Sequence, residues 1–257
     1  MHWSPDGTLL EINGARLRCV SADHGSHKTS ANDIVILKPR GMIETYARRF
    51  AGVRNVLEFG FYEGGSPAFF AAGIGVDRYV GIDLQQPVAA FGDWMRKHPW
   101  GRRISLHYGV SQDDASAVST IIAQEFGGQP IDLILDDASH WYAETRRSFE
   151  LSFPFLKPGG TYVIEDWGWA HWTEEPWQTT KPWGDRHPPL SLLIFELAMV
   201  CASSRQMIAN IELSGGLAFI RKGSAASVGG TINLDDCYKT QGRSLRFAPA
   251  SETGKRP

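Results

Sequence analysis

The sequence predicts a doubly wound α/β fold with a mostly parallel central sheet, and three observations carry that expectation. Short apolar runs rich in β-branched residues alternate with stretches of helical periodicity, as strands joined by crossover helices require. Several of these runs end in Gly or an acid, at Gly60, Asp83, Asp136-Asp137 and Glu165-Asp166. The 257 residues suffice for one substantial core with short extensions, and no internal repeat or second large domain is evident.

Taken in order, TLLEINGARLRCV (8–20) places two alternating runs about Asn13-Gly14, a tight-hairpin signal. The polar residues 21–34 read as a loop, either a lid or a solvated connector. Ile43, Tyr46 and Phe50 recur at helical spacing and predict a helix from Gly41 to about Phe50. A strand at Asn55–Phe59 is followed by FYEGGS and a helix from Gly65 to Ala72. Strands are expected at Tyr79–Ile82, Ile104–Tyr108 and Ile131–Leu135, the last apolar throughout as in a sheet covered on both faces. Helices are expected at Asp114–Phe126 and Tyr142–Leu151. A turn at Lys157–Gly160 precedes a strand at Thr161–Ile164. Residues 167–189 form an insertion rich in Trp and Pro. A helix over Leu190–Ser203 and an antiparallel pair, Met207–Leu213 with Leu217–Arg221, complete the pattern. The expected organisation is a hairpin and loop over 1–34, a main domain over 35–225 and an extension over 226–257. TINLDDCYKT is expected to hold a short ordered piece, and the last ten residues to fray.

Composition narrows the function classes. Hydrophobic residues make up 42%, charged residues 21%, and the net charge is -2. There is no basic block to track a nucleic acid. No signal-peptide pattern and no membrane-length apolar run occur, and Cys19, Cys201 and Cys237 are too few and too scattered for a disulfide framework or a zinc cluster. A cytoplasmic protein with free thiols, binding neither nucleic acid nor membrane, is expected.

In such sheets ligands bind beyond the carboxyl ends of the strands, near the switch in strand order. That rim carries Gly60, Asp83, Gln112, Asp137 and Glu165-Asp166. The run NVLEFGFYEGG (55–65) permits a tight turn and close backbone approach but lacks the dinucleotide spacing G-x-G-x-x-G. Asp83, 25 residues after Glu58, is placed to accept both hydroxyls of a ribose; Glu58 can orient the loop or meet an amino group. By itself this turn also suits a mononucleotide or NAD site.

At these residues the chain resembles the class I S-adenosylmethionine-dependent methyltransferases, whose fold is a seven-stranded Rossmann-like sheet. Glu58, Gly60 and Gly64 match the glycine-rich first motif and Asp83 the ribose-binding acid. The resemblance implies that the loop bearing Gly60, Tyr62, Gly64 and Ser66 lies against the methionine part of the cofactor. It implies an adenine contact within Gly109–Asp114, from Gln112 or Asp113.

The second constellation is LDDASH (135–140) and Glu165-Asp166, brought together by adjacent parallel strand ends. Crowded carboxylates repel and resist ionisation, and a hard divalent cation relieves them. Oxygen ligands favour magnesium, with calcium or manganese as substitutes. Asp137, Glu165 and Asp166 are the expected ligands, with His140 as general base toward an acceptor hydroxyl. Plainer roles, a helix cap at Asp136, Asp137 or Ser139 and a solvated strand end at Glu165-Asp166, stand beside this one. The segments resemble the metal-dependent sugar O-methyltransferases of antibiotic biosynthesis, related to the cephalosporin-hydroxylase-like family, over roughly residues 38–166. Asp136 matches the first of their paired acids, assigned to the cofactor side or to support of the loop.

Trp167, Trp169 and His171 are the acceptor-side candidates; Trp172, Trp177 and Trp183 serve the pocket, a satellite core or an oligomer contact. The resemblance implies S-adenosylmethionine and a divalent metal as cofactors, a sugar-containing small molecule as acceptor and a homo-oligomer. Catechol or phenol methylation, and S-adenosylmethionine or sugar binding without turnover, are the alternatives.

Overall fold

The computed structural model describes residues 1–21, 27–175, 177–181, 183, 187–226 and 229–243. A four-stranded sheet comes first: β1 (His2–Trp3), β2 (Leu9–Ile12), β3 (Ala15–Cys19) and β4 (Ile34–Ile36). β2 and β3 form the expected hairpin, with Asn13 and Gly14 both at positive φ. β4 was not expected. Its three residues are too short for a periodic signal, and it forms by pairing in parallel with Leu17–Cys19. The unit boundary expected at residue 34 therefore falls inside a strand.

The main sheet has seven strands: β5 (Asn55–Phe59), β6 (Arg78–Asp83), β7 (Ile104–Tyr108), β8 (Ile131–Asp136), β9 (Leu156–Glu165), β10 (Ile208–Leu213) and β11 (Leu217–Lys222). They lie in the order β10-β11-β9-β8-β5-β6-β7. β5 through β9 pair in parallel, and β11 runs antiparallel to both its neighbours. The strand order reverses at β5, which lies between β6 and β8, and this is the switch point where such sheets open a crevice. The 157–160 turn is absorbed into β9, whose pairing with β8 shifts register between Ile131 and Leu133.

The helices are α1 (Arg40–Arg49), α2 (Gly65–Ala68), α3 (Ala89–Lys97), α4 (Ala115–Phe126), α5 (Tyr142–Ser152) and α6 (Ser191–Ser203). α4 begins where the sequence indicates: Asp114 caps it, accepting from the backbone N–H of Ser116 and Ala117. The helix expected over 65–72 is α-helical for only four residues and continues as a π-helical turn through Phe69–Ile74. α3 was not foreseen. The 3₁₀ turn Leu234–Asp236 is the ordered piece of TINLDDCYKT, whereas the last ten residues lie outside the described ones.

Strand alternation divides the core into two layers. Val56, Tyr79, Leu135 and Val163 face α1, α3 and the small sheet, where Leu10, Leu17, Ile43 and Phe91 are buried. Leu57, Val80, Ile134 and Tyr162 face α4, α5 and α6, packing with Val118, Phe149 and Leu197. Among the described residues no helix is long and apolar enough to cross a membrane. All three cysteines are free.

Candidate active site

The site is assembled by register. Phe59 pairs with Asp136, and Asp136 with Ile164, so Gly60, Asp137 and Glu165 emerge together from the ends of β5, β8 and β9. The approach of the first two is close. A Cβ on Gly60 would lie 2.3 Å from the Asp137 carbonyl oxygen, and Gly60 has φ +78°, so only glycine suits this turn.

Behind Gly60 is a narrow cleft lined by Val35–Lys38, Glu58, Gly60–Tyr62, Gly65, Ser66 and Asp137. Two of its lining residues, Glu58 and Asp137, belong to the acidic cluster, so it joins the glycine-rich loop to that cluster. A larger surface hollow of about 590 Å³ lies beside α3, but none of these carboxylates lines it. Glu58 is fully buried. Its Oε1 accepts from Ser66 Oγ at 2.8 Å and its Oε2 from the Tyr79 hydroxyl. Burial raises its pKa to about 7 against the pull of Lys38 and of the two hydroxyl donors. Asp83 ties the loop to the end of β6: its Oδ2 accepts from the backbone N–H of Phe61 (2.9 Å) and Tyr62 (3.0 Å), and its Oδ1 from Gln85 N (3.0 Å). Gly64 is the left-handed residue before α2, with φ +93°.

Gln112 and Asp136 are brought to each other and are not among the residues lining this cleft. Alternation turns Asp136 to the α4–α5 side of the sheet, where Tyr162 OH (2.8 Å) and Ser148 Oγ donate to it. Gln112 Nε2 also donates to it, at 3.2 Å, while Gln112 Oε1 accepts from Ser139 N at 2.9 Å. This arrangement makes the pair a brace for the Asp137–His140 loop. Burial pushes the Asp136 carboxyl up to about 6, against its hydroxyl donors.

Asp137, His140 and Asp166 each present a donor atom, and these atoms lie within 4.8 Å of one another. His140 Nε2 is 3.9 Å from Asp137 Oδ1. Glu58, Asp137 and Glu165 form a second such group, sharing Asp137. Burial, together with the Asp137 charge, drives the Glu165 carboxyl well above the usual range; burial also raises Asp166, which His140 and Lys38 partly offset. Three non-glycine residues of the rim sit at positive φ: Tyr62 (+48°), His140 (+58°) and Asp166 (+52°). This backbone is uncommon outside glycine and costs on the order of 1 kcal/mol or more per residue.

The sequence missed Lys38 and Tyr46 as site residues. Lys38 follows β4 and is 2% exposed. Its Nζ donates to Asp137 Oδ2 (2.8 Å) and to Glu165 Oε1 (2.7 Å) and Oε2 (2.6 Å). Burial opposes its charge, yet Asp137 and Glu165 hold the ammonium above the ordinary lysine value. Tyr46, on the inner face of α1, donates to Glu165 Oε1 at 2.8 Å. The one signal available in the sequence was a lysine ending the apolar run IVIL directly before Pro39.

The acceptor-side candidates separate. Trp169 is 3% exposed and its Nε1 donates to the His140 carbonyl at 2.9 Å, so it supports the His140 loop from below. Trp167 Nε1 is anchored on Ser214 O (2.9 Å), and His171 contacts Ser191 Oγ (2.9 Å). Trp183 faces the His140 ring, with centroids 6.1 Å apart, and packs on Trp141, Trp169 and Trp177 at 4.8–5.2 Å. The tryptophans thus form a half-buried aromatic cluster beside His140.

Residues 57–167 match the family described as a methyltransferase domain. The chain is 33% identical over 138 residues to the mycinamicin VI 2''-O-methyltransferase of Micromonospora griseorubida, covering 49% of this chain and 31% of that protein. It is 43% identical over 113 residues to the L-olivosyl-oleandolide 3-O-methyltransferase of Streptomyces antibioticus, covering 38% and 28%. The chain therefore spans less than a third of the length of these curated relatives. Its fold is similar to that of the MycE methyltransferase of the mycinamycin pathway, solved with Mg, SAH and mycinamycin VI: TM-score 0.55, 24% identity, 76% of this chain and 52% of that one. It is also similar to that of the O-methyltransferase TomG of Streptomyces achromogenes, solved with SAM: TM-score 0.51, 16% identity, 74% and 82%. Sheet order, rim and matched segment agree: the chain has the class I methyltransferase fold, and its residues 57–167 match a methyltransferase domain.

Proposed function

We propose that the protein is an S-adenosylmethionine-dependent O-methyltransferase that acts, with a divalent cation, on a deoxysugar hydroxyl of a nucleotide sugar or a glycosylated natural product. The observation that carries this reading is Asp137, which lines the cleft behind the glycine-rich loop and also stands 3.9 Å from His140. Methyl donor and acceptor oxygen thereby share one wall. The relatives that act on sugars of macrolides and related polyketides support the acceptor class.

The donor set suits a hard cation: Asp137 gathers with Glu58 and Glu165 in one group and with His140 and Asp166 in another, and burial makes Glu58, Glu165 and Asp166 hard to ionise. Asp137, Glu165 and Asp166 would hold magnesium, with manganese or calcium as substitutes. When bound, the cofactor supplies an activated methyl group and the cation lowers the acceptor hydroxyl's pKa. The chain's own residues do the rest. Asp83 and the Gly60–Gly64 backbone would seat the cofactor, and Glu58 would serve its amino-acid end. His140 takes the acceptor proton on Nε2, while Asp137 and Asp166 balance the charge that develops on the ring. Trp183 and Trp167 offer faces to the apolar side of the acceptor. Trp169 holds the His140 carbonyl, so its role is orientation.

The test is methyl transfer to a panel of nucleotide deoxysugars and macrolide glycosides, with phenols as controls, before and after EDTA and with magnesium restored. Turnover on sugars that EDTA abolishes and magnesium restores is expected. Turnover indifferent to thorough metal removal would sink the role of the cation. Cofactor binding without product from any acceptor would favour a binding protein.

A further inference from the structure

Lys38 has no place in the proton or methyl transfer, yet it is the cation most fully enclosed by the acidic cluster. Its ammonium spends its donors on Asp137 Oδ2 and on both oxygens of Glu165, at 2.6–2.8 Å. Glu165 Oε1 also accepts from Tyr46. Both oxygens of Glu165 are therefore engaged, and Asp137 is divided, with Oδ2 toward Lys38 and Oδ1 toward His140. A divalent cation would draw on the same lone pairs, and two positive centres cannot share so small a space without repulsion. Lys38 reaches this position because β4 and α1 pack on the sheet face that carries Val163 and hence Glu165. Its backbone is fixed on one side by β4 and on the other by Pro39, which precedes α1.

We infer that Lys38 is a chain-borne counter-cation that competes with the divalent cation for Asp137 and Glu165, and so sets how tightly the metal is held. The inference rests on the metal-assisted reading above. It assigns Lys38 a tuning role distinct from that of a pillar. A pillar, once removed, lets the carboxylates drift and weakens metal binding; a competitor, once removed, strengthens it. The two roles predict opposite signs.

The experiment is Mn²⁺ binding by electron paramagnetic resonance, on wild type, Lys38→Met, Lys38→Gln and Lys38→Arg, with S-adenosylhomocysteine binding and circular dichroism confirming the fold. Removal of the charge in Lys38→Met or Lys38→Gln should lower the Mn²⁺ Kd by roughly tenfold or more, whereas Lys38→Arg, which keeps the charge, should bind no tighter than wild type. Equal or weaker binding in the folded neutral variants overturns the inference while leaving the metal-assisted reading intact. Binding gained by the neutral variants, in a protein whose wild type neither binds Mn²⁺ nor responds to EDTA, supports the competition and refutes metal assistance in the natural chain. If no variant binds Mn²⁺, both readings fall. Should the neutral variants not fold, wild type still decides. Acylation of Lys38, read by mass spectrometry, should rise on Mg²⁺ titration as the ammonium is displaced, and unchanged protection at saturating Mg²⁺ overturns the competition.

Discussion

At the scale of single residues, the rim derives its chemistry from groups that one sheet face or the other denies to solvent. His140 is only partly buried, but its neighbours fix it. Its positive φ, the Trp169 bond to its carbonyl and its 3.9 Å distance from Asp137 fix an imidazole beside the cleft. In His140→Ala, turnover should fall by about 10²–10⁴ with cofactor affinity retained, because Asp137, the cleft residue beside the imidazole, keeps its bond to Lys38; calorimetry with S-adenosylhomocysteine and a methyl-transfer assay separate the two effects. Wild-type turnover across the pH range would remove His140 as the base. Glu58 makes a prediction about stability. Its carboxyl titrates near 7 in the folded chain against an ordinary 4.5, chiefly through burial. Between those values the folded chain binds more protons than the unfolded one, so the stability linked to Glu58 is complete below the lower value and is lost as pH rises through the upper. A shift of that size corresponds to on the order of 3 kcal/mol. Urea unfolding at pH about 5 and about 8 should show wild type losing stability with pH and Glu58→Gln losing less; an unchanged slope in the variant would place the proton elsewhere.

At the scale of elements, what the sequence made legible depended on whether an element announces itself locally. β5, β7 and the β2–β3 hairpin were legible because apolar alternation or an Asn-Gly turn is written within the segment. β4 was not, because Ile34–Ile36 becomes a strand only through its pairing with Leu17–Cys19. The same limit hid Lys38 and Tyr46, whose roles depend on which face of the sheet Glu165 occupies. The carboxylates at the strand ends were legible since parallel strands deliver their termini to one rim. Which neighbour each would meet was not: Asp136 turns to Tyr162 and Ser148, one residue before Asp137 turns to Lys38. β4 is also held as a strap. Glu63 accepts from Thr29 N (2.8 Å) and Lys28 Nζ (2.9 Å), and Thr29 Oγ1 accepts from Val35 N (3.0 Å). Gly65 lets this strap lie directly on α2, for a Cβ there would be 2.3 Å from the Val35 carbonyl oxygen and 2.4 Å from Ile36 Cβ. Gly65→Ala should therefore cost about 1–3 kcal/mol through overpacking and weaken cofactor binding, since Val35 and Ile36 line the cleft. Chemical denaturation and a cofactor titration check both; full cofactor affinity in the variant would mean that the strap is not part of that wall.

At the scale of the whole molecule, the rim is where separately encoded parts converge. Lys38 and Tyr46 come from the segment before the matched methyltransferase region, Glu58 to Asp83 from the first crossover, Asp137, His140 and Glu165 from the two strands beyond the switch point, and Trp183 from the insertion. Such a site is assembled only by the complete fold, so ligands at one part should be felt at another. Asp137 is the physical link: it belongs to the wall of the proposed cofactor cleft, to both groups of candidate metal ligands and to the Lys38 pair. A divalent cation that fixes Asp137 also fixes that wall, and a bound cofactor product that fixes the wall presents Asp137 to the cation. Coupling of this kind is reciprocal by necessity. Thermal unfolding should therefore rise more with magnesium and S-adenosylhomocysteine together than the sum of the separate shifts, each of which follows the ordinary stabilisation of about 2.7 kcal/mol at a hundredfold excess over Kd. Calorimetry gives the same quantity directly, since magnesium should tighten S-adenosylhomocysteine by the factor by which S-adenosylhomocysteine tightens magnesium. In Asp137→Asn the two ligands should lose this mutual effect even where each still binds. Strict additivity in wild type would show that the cleft and the acidic cluster, though they share a residue, act as independent sites.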